Sequence, residues 1–129
     1  MKRKTTFGLL LLGFVVTNCQ KIQQEQLHQD AQLMASLECE ARQLKNERFN
    51  AANEIRFMED SLARHKVQLS VAQSAKIDSL KTSYTLRTGQ LAEKITKKMD
   101  SLFTATYHRA EERQQLDDEI EKVLKTICH

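Results

Sequence analysis

From Leu27 to Leu69 the apolar residues return with the spacing of two helical turns. Written as heptads, Leu27, Met34, Ala41, Arg48, Ile55, Leu62 and Leu69 take one seam position, and Asp30, Leu37, Leu44, Ala51, Met58 and His65 take the other. Ten of those thirteen are apolar and no Gly or Pro interrupts them. That is the repeat of one helix packed along another. The pattern predicts a first helix that starts between Ile22 and Leu27 and ends near Gln68. His65, a polar residue in the seam, reads as a partly buried group that sets register. Phe49, Ala52 and Phe57 fall off the seam and together form a second apolar face. Packing against a third helical segment is the first explanation of that face, and a partner-binding patch is the second.

The repeat resumes after Gly89, with Ile95, Leu102, Leu116 and Val123 at one position and Ala92, Met99, Ile120 and Ile127 at the other. The exceptions, Thr106, Arg109 and Arg113, cluster and predict a break between them. Two other turn positions compete. Ser70-Val71-Ala72-Gln73 has the capping-box pattern that starts a helix. Thr82 to Gly89 carries β-branched residues and a glycine, which lower helix propensity. The fold class that follows is all-α: a long antiparallel helical hairpin or coiled coil, with or without a short third C-terminal helix. Composition agrees, because 129 residues with no proline and three glycines lack the turn residues a β or α/β domain needs.

The N-terminus has a different character. Lys2, Arg3 and Lys4 precede an apolar run from Phe7 to Val16, ten residues long. That run is too short to span a bilayer as a helix and suits a secretory signal. It leads into Val16-Thr17-Asn18-Cys19, and the whole resembles the signal segment of bacterial lipoproteins. Asn18 departs from the small residue the class prefers before its cysteine. The resemblance implies a signal peptide over 1–18, cleavage before Cys19 and lipid attachment at its sulfur. Residues 19–26 then form a short tether or the first turns of the helix, and 27–129 the helical body. It further implies a protein of the bacterial cell envelope, held on a membrane and facing the periplasm. The resemblance carries no information on activity.

Removing Lys2, Arg3 and Lys4 from the 20 basic residues leaves 17, against 17 acidic ones. A neutral body argues against nucleic acid as a partner. Charge is unevenly placed: −3 over 19–63, +6 over 64–109 and −3 over 110–129. If the chain folds near residue 83, the basic middle becomes the far tip. Lys94, Lys97 and Lys98 are then candidate contacts for an anionic envelope surface or an envelope protein partner.

With Cys19 taken by lipid, Cys39 and Cys128 remain, and two thiols in an exported chain favour a disulfide. A single hairpin closed by that bridge folds within Thr82 to Gly89. A turn at Ser70 instead separates the two cysteines unless the chain folds back again near Thr104 to His108. Chemistry is sparse. His28-Gln29-Asp30, Glu38-Cys39-Glu40, His108 with Glu111 and Glu112, and Cys128-His129 group ligand-type residues. None has the spacing of a zinc or dinuclear carboxylate site. No phosphate loop, nucleophile elbow or CxxC occurs, so neither an enzyme nor a cofactor is expected. The expected role is an interaction or spacer element, with another envelope protein or a second copy as partner. The alternative is a binding module that uses Phe49 and Phe57 for a hydrophobic ligand or to inhibit a secreted enzyme.

Overall fold

A computed structural model of the protein describes residues 12–128, with side chains from Gln23 to Cys128. The basic n-region, the apolar side chains of the signal segment and the Cys19 side chain lie outside the described residues. Three helices and no strand make up the described residues: α1 (Leu12–Arg64), α2 (Val71–Ala105) and α3 (Ala110–Ile127). The chain is therefore a long hairpin with a short third helix.

α1 is 53 residues long, about 80 Å at helical rise. It starts well before Ile22, because Gln, Lys and Glu after Cys19 favour helix and nothing there breaks it. Its end is built without glycine. Val67 N–H donates to the Leu62 carbonyl (2.9 Å) and Lys66 N–H to that of Ala63 (3.1 Å). This is a Schellman closure. Lys66 holds the left-handed position at φ 54° that glycine usually fills. His65 lies in this turn and is exposed, so it does not set register as expected; α1 ends one residue before it.

α2 starts where the capping box predicts. Gln73 N–H donates to Ser70 Oγ (3.2 Å), and Ser70 N–H donates to Gln73 Oε1 (2.9 Å). The competing turn at Thr82 to Gly89 does not form, and α2 runs through it unbroken. Thr85 and Thr88 turn their hydroxyls back to the carbonyls of Lys81 and Tyr84 (2.9 and 2.7 Å). Arg87 pairs with Glu47 (3.0 Å) and Arg48 donates to Thr88 Oγ1 (3.3 Å). These contacts strap the suspect stretch to α1.

The chain turns again at Thr106 to Arg109, where Arg109 N–H donates to the Glu112 carboxylate (3.0 Å). α3 then runs parallel to α1 and brings Cys128 to Cys39, Cα to Cα 5.6 Å, in a disulfide. The second fold-back reconciles a Ser70 turn with a Cys39–Cys128 bridge. It also overturns the basic far tip. The tip is the turn at 65–70, and Lys94 lies beside Glu40 and Leu44 of α1. Lys97 is ion-paired with Glu93 (2.6 Å) on the exposed side of α2.

The core lies where α1, α2 and α3 meet. Met34, Leu37 and Leu44 pack with Leu91 and Leu102 and with Leu116, Ile120, Val123 and Leu124. Leu116 is wholly buried. Beyond Cys39, α1 continues for 25 residues to Arg64, about 37 Å, with α3 left behind. From Lys45 to Gln90 only Ile77 is buried. The molecule is thus a stapled, well-packed base from which a two-helix arm projects.

Candidate functional site

Two polar arrangements fix the base. Asp30, a polar exception in the seam, is buried on α1. Its Oδ2 accepts hydrogen bonds from the Tyr107 hydroxyl (3.0 Å) and Gln26 Nε2 (3.1 Å). Burial, followed by the Asp30 hydrogen bond, holds the Tyr107 hydroxyl well above the ordinary tyrosine range. This contact pins the α2–α3 turn to α1. Arg113 fixes the turn from the other side: its Nε donates to the Tyr107 carbonyl (2.9 Å), and its guanidinium lies 4.6 Å from the Phe103 ring centroid.

On the surface, His28 Nδ1 lies 2.9 Å from Glu119 Oε1, and Lys122 Nζ lies 3.0 Å from Glu119 Oε2. The His28 hydrogen bond, then that of Lys122, lowers the Glu119 carboxyl below the ordinary carboxylate range. Gln32 Nε2 lies 3.1 Å from His28 Nε2. An imidazole that donates from Nδ1 and accepts at Nε2 satisfies both contacts. His28 and Asp30 therefore point to different neighbours. Among the described residues no three metal-ligating side chains converge.

The arm carries the candidate interaction site. An open groove of about 640 Å³ lies between α1 and α2. Phe49, Ala52 and Ile55 of α1 line it with Leu80 and Tyr84 of α2. Lys45, Arg48, Arg56 and Lys81 also border it, with Glu59 as the acid. The Arg87 guanidinium lies 5.6 Å from the Tyr84 ring centroid.

Phe49 is 67% exposed and Phe57 64%, so the expected packing of this face against a third helical segment is overturned. α3 is too short and is tied off at Cys39. The two phenylalanines also do not share one patch. Phe49 lines the groove and Phe57 does not; Phe57 lies instead beside Arg56, whose guanidinium is 5.8 Å from its ring centroid. At 3.6 residues per turn Phe57 lies about 80° round α1 from Phe49, on the side away from Ala52 and Ile55, so the two rings do not share a face. Leu80 and Tyr84 are groove residues that sequence reasoning missed, and the capping box at Ser70 was the signal that sets them opposite Phe49. The structure brings Cys39 and Cys128 together and leaves Lys94, Lys97 and Lys98 apart from the groove. No protein-family model matches the chain, and neither a curated protein nor a solved structure is significantly similar to it.

Proposed function

We propose that this chain is a lipid-anchored protein of the bacterial envelope, attached through Cys19, whose helical body acts as an interaction or spacer element without catalysis. The observation that supports the reading best is the division of the body. Residues near the anchor form a stapled core, and the arm beyond Cys39 leaves an apolar groove open. A stiff base with an unfinished arm suits a protein that presents a contact surface at a set distance from a membrane. Acylation supplies the attachment: each buried CH₂ contributes about 0.8 kcal/mol, so two or three chains hold what one holds loosely.

Fractionation of cells producing the wild type and Cys19→Ser tests the anchor. The wild type belongs in the membrane fraction and the variant outside it; a wild-type chain that is not membrane-bound refutes this reading. The groove also favours a second reading, a module that holds a hydrophobic ligand or blocks a secreted enzyme through Phe49. Phe49→Ala then abolishes binding while helix content stays unchanged, since the side chain is exposed.

A further inference from the structure

We propose that the arm groove takes an acidic amphipathic helix from another protein, laid along α1 and α2 as α3 lies along them in the base. The proposal rests on reading the arm as an interaction element and names the kind of partner. Two observations carry it.

The first is continuity with an interface that is already filled. In the base, Met34 and Glu38 of α1 and Met99 of α2 line a cleft shared with Asp117, Ile120 and Glu121 of α3. In the arm, Ala52, Arg56 and Lys81 line the open groove. Each lies 18 residues from its base counterpart along its own helix, and such a step is about five whole turns. The faces of α1 and α2 that carry α3 therefore continue past Cys39, where the disulfide ties α3 off. Between Lys45 and Gln90 the two helices bury one side chain, Ile77, whereas packed helices depend on a buried apolar face for stability. The arm lacks what α3 supplies to the base.

The second is charge. α3 is itself acidic, with six acidic and three basic residues. The arm groove is more basic than the cleft beside α3, because Arg56 takes the register of Glu38 and Lys81 that of Met99. Lys45, Arg48, Arg56 and Lys81 border its apolar floor against Glu59 alone. Among the described residues none of these four cations reaches a carboxylate, whereas Arg42, Arg87 and Lys97 each pair with one. Cations from both helices around an apolar floor fit a helix whose apolar stripe is flanked by Asp and Glu. The same charges repel a second copy of the groove. From Lys45 to Glu59 the groove runs about 21 Å, so the partner helix needs about four turns.

A synthetic peptide of about 18 residues tests the fit. It carries leucines on one helical stripe and glutamates on both flanks, and a lactam bridge on the far side keeps it helical so that binding does not have to order it. A control peptide has lysine for every glutamate. Fluorescence anisotropy reads binding to the purified full chain. The glutamate peptide should bind at least about tenfold more tightly than the lysine peptide, and less tightly as salt rises. Arg56→Glu combined with Lys81→Glu should weaken it at least about tenfold with helicity unchanged, because both side chains are exposed. Phe49→Ala should weaken it too, whereas Phe57→Ala, off the groove, should not. Equal binding of the two peptides, or binding that the Arg56→Glu and Lys81→Glu pair leaves unchanged, overturns the proposal. Failure of the glutamate peptide to bind also overturns it, and saturable binding of oleate in that case makes a small anionic amphiphile the occupant. Cys19→Ser should bind the glutamate peptide as the wild type does, since no groove residue precedes Lys45. Failure of the helix-binding proposal and failure of the anchored reading are therefore separable.

Discussion

Cutting the Cys39–Cys128 bridge should cost this chain a large share of its stability. The two cysteines are 89 residues apart in sequence, so the bridge closes most of the body into one loop. Chain-entropy reasoning for a loop of about 90 residues gives roughly 4.5 kcal/mol at 25 °C, acting through the unfolded state. Domains of this size are stable by about 5–15 kcal/mol in total, so the loss should be visible without special conditions. The perturbation is Cys128→Ser, and the assay is urea unfolding followed by helical circular dichroism. Cys39→Ser and the double variant should cost the same as Cys128→Ser, because each removes one and the same bond. The native spectrum should change little, since Leu116, Ile120, Val123 and Leu124 still hold α3 on α1. A loss below about 1 kcal/mol, or a double variant twice as costly as either single one, would refute the reasoning.

Three further outcomes are expected. Tyr107→Phe leaves the buried Asp30 carboxylate with Gln26 as its remaining partner and should destabilise by about 1–3 kcal/mol in the same assay, while Tyr107→Phe with Asp30→Leu recovers part of that. Glu119 has a folded-state pKa below its unfolded value, so its contribution is present above the ordinary carboxylate range and is lost as pH falls through the folded pKa. The melting temperature of the wild type should therefore fall more steeply below about pH 4 than that of Glu119→Gln. Lys66→Gly should raise stability by about 0.5–1 kcal/mol, because glycine occupies the left-handed position without the clash of a Cβ; a loss in urea unfolding would show that the Lys66 side chain has a compensating contact.

The sequence signals that succeeded were those with a local mechanism. The heptads of α1 and the Ser70–Gln73 capping box depend on neighbours in sequence, and both appear where the residues place them. The break near Thr106 was legible because three seam exceptions clustered. The turn at Thr82 to Gly89 failed because propensity was overruled by long-range contacts, those of Glu47 with Arg87 and Arg48 with Thr88. The α1 end was legible to within a few residues, at Arg64 where Gln68 was expected; its left-handed residue is Lys66, so no glycine marked the exact position. Half of the groove was legible. Phe49 stood out as an apolar residue off the seam, but Leu80 and Tyr84 take their meaning from the position of the turn. Asp30 looked like a flaw in the seam until Tyr107, 77 residues later, supplied its partner.

The bridge also decides how the molecule carries mechanical load. Tension applied between the two ends of the chain travels along α1 to Cys39, crosses the sulfurs and leaves through Cys128. The arm is shunted out of that path. Stretching the protein by its ends would lengthen only the segment before Cys39, and the groove would stay folded under pull. Traction applied at the tip is different, because it runs down α1 as one uninterrupted helix toward its N-terminal end. The arm can therefore transmit force along its length while being spared force that acts on the termini.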